Sequence, residues 1–212
     1  MEEEKQKITR TPSEKQIPAL TKTAVRQICG FDKMEFLNDF LEVIPDDFSG
    51  KVLTVPIGEK ELSYEKYAKM RNADITALDD SLDRLQKMQK WAQKTDASHM
   101  KWEQFSANHL PYQDESFDLV LSVNGFHQFE DKDLVFQEMH RVLKRGGAFC
   151  ACFYIRGENE QADLIVEHIE RDTNMFCPPF YTEKDIECKL KSLYASGDIH
   201  LQKSILFLKC VK

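Results

Sequence analysis

Short apolar runs alternate along this chain with stretches whose apolar residues recur at helical spacing. The first short run, 52–55, ends in a turn at Pro56-Ile57-Gly58, and a helical pattern follows over about 59–70. A second run, 74–78, ends in Asp79-Asp80-Ser81 and opens a helix to about residue 94. Leu82, Leu85, Met88 and Ala92 fall on one side of that helix. Strand, tight turn, helix, strand and acid make a βαβ unit. A weaker strand is expected around 99–105. Residues 117–123 are apolar apart from Asp118 and Ser122, the pattern of a strand covered on both faces, and they lead into Asn124-Gly125-Phe126-His127. A helix over about 131–143 is expected to stop at a Gly146-Gly147 turn before a strand at 148–155. A polar helix follows over about 160–170, then a break at Cys177-Pro178-Pro179, then a helix over 182–194 with Thr182 as its N-cap. Two final runs, 199–201 and 204–211, are close enough to pair as an antiparallel hairpin.

Strands alternating with helices predict an α/β fold, an open and mainly parallel sheet with helices on both faces. Two helices are expected ahead of the first strand, over 19–29 and 33–44. Phe36, Leu37, Phe40, Leu41 and Ile44 share one face of the second. The expected organisation is a charged, flexible lead-in at 1–16 and a single domain at 17–212, divided into a helical cap (17–45) and a doubly wound core (46–212).

Composition narrows the partners. The 212 residues carry a formal net charge of -7, and no Lys/Arg stripe stands out, which argues against nucleic acid. No apolar run approaches the length that spans a bilayer, and the first ten residues are too acidic for a secretory signal. The six cysteines include no CxxC pair and several lie in apolar runs, so reduced, mostly buried thiols, no metal site and a cytoplasmic location are expected.

The candidate chemistry gathers where the strands are expected to end. Gly58 stands about twenty positions before Asp79, the spacing between a glycine turn and a carboxylate that holds a ribose. Asp79 could also cap the next helix, but Asp80 and Ser81 can take that task, which frees Asp79 for the ligand. Asn124 and His127 follow a buried strand at the end where open sheets bind ligands. His127 has an intrinsic pKa suited to a general base, and a helix-start position in a polar loop suits it as well. Tyr154 and Arg156 end the next strand on the same side and are candidates for orienting a substrate.

Three stretches join the βαβ unit in a recognisable order: LPYQDESFDLVLSVNGFHQF at 110–129, EMHRVLKRGGAFCACFY at 138–154 and ITALDDSLDRLQKMQ at 75–89. Together they resemble class I S-adenosylmethionine-dependent methyltransferases, in particular the small-molecule branch that includes the ubiquinone/menaquinone-biosynthesis enzymes. The resemblance covers about residues 52–154. It implies a Rossmann-like seven-stranded sheet with an antiparallel C-terminal strand, S-adenosylmethionine as cofactor and a small-molecule methyl acceptor. It also implies that the cofactor lies along Pro56, Gly58, Asp79, Asp80, Ser106, Ala107 and Asn124; His127, just beyond, is the catalytic candidate by its own chemistry. The first motif departs from the family pattern. Thr54 stands where the family has an acid, Pro56 and Lys60 replace two of its glycines, and Ser106 replaces the acid facing the adenine. A serine is a weaker acceptor than a carboxylate, and losing a charged hydrogen bond typically costs ~1.5–3 kcal/mol. The alternative is therefore a catalytically inactive binding or regulatory protein on the same fold. A nicotinamide-dependent oxidoreductase shares only the βαβ logic.

Overall fold

The computed structural model describes residues 40–57, 61–172 and 176–212. The expected lead-in, the first cap helix and Gly58 lie outside the described residues. Of the second cap helix only the helical end at 40–42 is described.

Seven strands form one sheet: β1 (Gly50–Thr54), β2 (Ala73–Asp79), β3 (Lys101–Gln104), β4 (Phe117–Val123), β5 (Leu143–Tyr154), β6 (Ser196–Gln202) and β7 (Ile205–Val211). Between them run helices α1 (Glu61–Lys69), α2 (Leu82–Lys94), α3 (Lys132–Val142), α4 (Glu160–Asp172) and α5 (Glu183–Leu193). The order across the sheet is β3-β2-β1-β4-β5-β7-β6. Strands β1 to β5 pair in parallel, and β7 runs antiparallel to both β5 and β6. The doubly wound, mostly parallel sheet expected from the alternating runs is thus present, with the C-terminal hairpin as its antiparallel edge.

Side-chain alternation divides the core into two layers. Val52, Ile75, Leu119, Leu121, Cys150 and Cys152 face the helical end at 40–42 and helices α1, α2 and α4. Leu53, Val120, Phe149, Ala151, Phe153 and Leu206 face α3 and α5. Phe126, Phe136 and Phe149 meet in the second layer, with ring centroids 5.7 Å apart for Phe126–Phe136 and for Phe136–Phe149. All three are fully buried, and burying such a side chain stabilises the fold by about 1.5–3 kcal/mol.

Local signals mostly hold. Thr182 caps α5 in a reciprocal capping box with Asp185. Ser81 caps α2, its hydroxyl accepting from the Arg84 amide at 3.3 Å. The Gly146-Gly147 pair is a correction. It lies inside β5, where the register to β4 jumps from Phe117↔Leu143 to Leu119↔Ala148. Instead of turning the chain, the two glycines exchange backbone hydrogen bonds with Lys212, at 2.7 and 3.1 Å. Among the cysteines, Cys150, Cys152 and Cys210 are buried, Cys177 is half-buried and Cys188 is exposed, all as free thiols.

Candidate active site

The sheet order reverses between β1 and β4, so the C-terminal ends of these strands form the crevice where open α/β sheets bind ligands. Four chain segments converge there.

Asp79 is the last residue of β2, and its side chain is 1% exposed. Its Oδ1 accepts the Ser81 amide at 2.9 Å and pairs with Arg84 Nε at 3.2 Å. Its Oδ2 is buried and has no hydrogen-bond partner among the described residues. Burial, reinforced by the neighbouring Asp80 carboxylate, outweighs the Ser81 amide and Arg84 and pushes the Asp79 pKa up to about 6. Capping is left to Ser81, which frees Asp79 from that task. Asp80 beside it is exposed.

The β3 end lies alongside. The Phe105 amide donates to Asp79 O at 3.1 Å, and Gln104 Nε2 donates to Asp80 O at 3.1 Å. Ser106 is exposed, its hydroxyl accepting the Asn108 amide at 3.3 Å, and Ala107 is buried. Leu82 and Phe105, large apolar residues that stay about half exposed, flank this corner in sequence.

At the centre, the chain leaves β1 through Val55, Pro56 and Ile57, all buried. A Cβ at Gly125 would stand 2.1 Å from Pro56 Cγ, so the proline ring lies directly on the Gly125 backbone and only glycine fits there. Asn124 turns the chain out of β4 with φ at 53°, a conformation asparagine tolerates better than most residues. Beneath the strand end, Thr54 Oγ1 lies 3.1 Å from the Tyr67 hydroxyl, and burial pushes the Tyr67 pKa up to about 12.

Beyond β4, His127 is buried and stacks on Phe176 with ring centroids 4.5 Å apart. The Tyr154 amide donates to His127 Nδ1 at 3.4 Å, which leaves Nε2 as the N–H position of the neutral ring. To act as a base, the residue would have to release that contact. The segment after α4 closes this side, with the Cys177 amide donating to His127 O at 3.0 Å. Lys132 fastens it, donating to Phe129 O at 2.7 Å and to Cys177 O, with its ammonium 5.5 Å from the Phe180 ring. Burial lowers the Lys132 pKa. Tyr154 and Arg156 are engaged by α4: the tyrosine hydroxyl donates to Asp163 at 2.6 Å, and Arg156 pairs with Glu167.

The structure therefore gathers Asp79, Asp80, Ser106 and Ala107 on one side of the crevice and Pro56 and Asn124 at its centre, with His127 beyond. Arg84, Lys132 and Phe176 are the site residues that sequence reasoning misses. Arg84 had a signal, because it stands four positions after Asp80 on a helix start, a favourable ion-pair spacing. Among the described residues, no cluster of His, Cys, Asp or Glu side chains is arranged to hold a metal ion, and no helix is long and apolar enough to cross a membrane. The unpartnered Asp79 Oδ2 is an acceptor at the place where the resemblance puts a ribose, and a ribose hydroxyl is a donor of the kind it lacks. The residues present thus fit the ribose half of an adenosyl cofactor.

Comparison with known proteins bears on the domain and its fold. Residues 58–151 match the family described as a methyltransferase domain. Demethylmenaquinone methyltransferase of Thermotoga maritima is 36% identical over 110 residues, 50% of this chain and 43% of that protein. The ubiquinone/menaquinone biosynthesis C-methyltransferase of Cellvibrio japonicus is 32% identical over 119 residues, 52% of this chain and 45% of that protein. The chain spans less than half the length of these relatives. Among solved structures, the YcgJ protein of Bacillus subtilis superposes with a TM-score of 0.68 at 14% identity, covering 84% of this chain and 98% of that one. Phosphoethanolamine N-methyltransferase 2 of Haemonchus contortus, solved with phosphomonomethylethanolamine and S-adenosylhomocysteine, gives 0.70 at 14% identity over 94% of this chain and 59% of that one. With a methyltransferase domain matched over residues 58–151 and set in this seven-stranded framework, the chain has the fold of class I S-adenosylmethionine-dependent methyltransferases.

Proposed function

We propose that this protein transfers a methyl group from S-adenosylmethionine to a small-molecule acceptor. The observation that carries the reading is Asp79, a buried carboxylate at the end of β2 with one oxygen that has no partner among the described residues. A buried acceptor without a donor costs about 1–3 kcal/mol, a cost that a ribose hydroxyl would remove on binding. Asp79 and Asp80 would take the ribose hydroxyls. Ser106 and Ala107 would border the adenine, with the exposed apolar surfaces of Leu82 and Phe105 beside it. Pro56, Gly58 and Asn124 would follow the methionine end.

The cofactor, when bound, supplies a methyl group already activated on a sulfonium. The protein's own task is to hold the acceptor in line and keep water out. His127 and the segment 176–181 border the acceptor side. In this reading His127 orients the acceptor, and it serves as base only for an acceptor that must lose a proton. The T. maritima and C. japonicus relatives are named for quinone-pathway methylation, which supports a small organic acceptor.

Equilibrium dialysis against radiolabelled S-adenosylmethionine tests the reading. Micromolar binding by the intact chain, weakened at least about tenfold in Asp79→Ala, is expected. No binding at millimolar cofactor would overturn it. A second reading, binding without transfer, is favoured by the Pro56 ring seated on Gly125 and by Thr54 and Ser106 at positions where the family carries acids. Label transferred from the cofactor to any small acceptor, a quinol included, rejects that second reading.

A further inference from the structure

The carboxylate assigned to the ribose is already engaged by a side chain of this protein. Arg84, in the first turn of α2, places Nε 3.2 Å from Asp79 Oδ1 and a terminal nitrogen 3.8 Å from Asp80 Oδ1. Its other terminal nitrogen donates to Gln128 Oε1 at 3.1 Å. Gln128 belongs to the 3-10 turn (Phe126–Gln128) that follows β4, whereas Asp79 ends β2, and β1 lies between those two strands. The Asp79–Arg84–Gln128 bridge therefore runs from one side of the sheet's switch point to the other, passing the C-terminal end of β1. Asp79 beneath it is almost fully covered, while the Arg84 side chain is 27% exposed.

We propose that Arg84 gates the cofactor site, its guanidinium occupying Asp79 and its hydrogen bond to Gln128 strapping the crevice until an adenosyl ligand displaces it. The inference rests on Asp79 being the ribose carboxylate. The physical basis is competition for one carboxylate: Arg84 holds Oδ1, and its strap to Gln128 crosses the crevice through which a ribose hydroxyl would reach Oδ2, so a ligand must break the bridge before it gains its own hydrogen bonds. Gln128 holds Arg84 across the crevice. Without Gln128 the guanidinium keeps its charge but is free to turn toward the exposed Asp80 and solvent. Free ligand then meets a larger population of open protein, and apparent affinity rises with that fraction.

The test uses the full chain with Arg84→Ala and Gln128→Ala, read in two ways. The first is covalent labelling of Asp79 by a water-soluble carbodiimide and glycine ethyl ester, followed by peptide mass. The second is calorimetric titration with S-adenosylhomocysteine. Faster labelling of Asp79 in both variants is expected. The Gln128 variant shows that uncovering, not loss of the arginine's charge, is responsible. Affinity should rise about tenfold in Arg84→Ala and about threefold in Gln128→Ala. Binding by the parent that is unchanged or weaker in Arg84→Ala would overturn the gate and leave the cofactor reading standing. Unchanged labelling in both variants would overturn it equally. Absence of binding in all three proteins would reject the ribose assignment itself, and the gate with it.

Discussion

Asp118 and Asp79 sit at opposite ends of the same sheet and are treated in opposite ways. Asp118, at the N-terminal end of β4, accepts the Lys51 amide at 2.8 Å on one oxygen and the Lys144 ammonium at 2.7 Å on the other. Burial alone would raise its pKa, but the Lys144 ammonium and the Lys51 amide outweigh that and hold it below the usual carboxylate value. Asp79, at the C-terminal end of β2, is more deeply buried and keeps one oxygen without a partner among the described residues. At one end of the sheet Asp118 has both oxygens paired. The other holds a carboxylate at a cost in stability, as expected where a ligand is to complete the pairing.

The largest effect expected from breaking this contrast is on binding. Asp79→Ala should weaken S-adenosylhomocysteine about a hundredfold by calorimetry, because a charged acceptor for the ribose is lost. Asp118→Ala should leave that affinity unchanged. A smaller but clear effect is expected at the centre of the crevice. Gly125→Ala drives a Cβ into the Pro56 ring and should cost about 1–3 kcal/mol in urea unfolding. Adding Pro56→Ala should recover part of that loss, and additive losses would mean that the two residues are not in conflict. At the closed end, Asp118→Ala should cost about 1 kcal/mol, a value kept small because the carboxylate is partly exposed.

The smallest effect is a difference of sign with pH. The folded pKa of Asp79 is about 6, against 3.8 as its ordinary value, so the folded protein binds the extra proton between them. The stability that Asp79 contributes is complete below the lower value and is lost as pH rises through about 6. Asp118 runs the other way. Its contribution is present above the ordinary carboxylate value and is lost as pH falls through its lowered folded pKa. Asp79→Asn should therefore melt about 2–4 °C higher than the parent at neutral pH, with the gap closing near pH 4. A gap that widens on acidification would contradict the assignment.

The fold was legible because its signals are local and repeated. The buried runs of β1, β2, β4 and β5, the Thr182 cap and the closely spaced β6–β7 runs each follow from a short stretch of chain. The Gly146-Gly147 pair misled because glycine marks both turns and irregular strand segments, and its hydrogen bonds go to Lys212 at the far end of the sequence. At the site, spacing reveals Asp79, but which oxygen is left unpaired depends on Ser81 and Arg84 together. No local pattern marks Lys132, which is buried with two backbone carbonyls and Phe180 around its ammonium. Pro56 against Gly125 joins residues far apart in sequence, and no local pattern announces that contact.

The measurement that bears most directly on the contrast is calorimetric titration with S-adenosylhomocysteine of the parent, Asp79→Asn and Asp118→Ala. The account predicts equal micromolar binding by the parent and Asp118→Ala and a loss of about a hundredfold in Asp79→Asn. Undiminished binding in Asp79→Asn, or equal losses in both variants, would contradict the claim that the C-terminal end of β2 holds the cofactor.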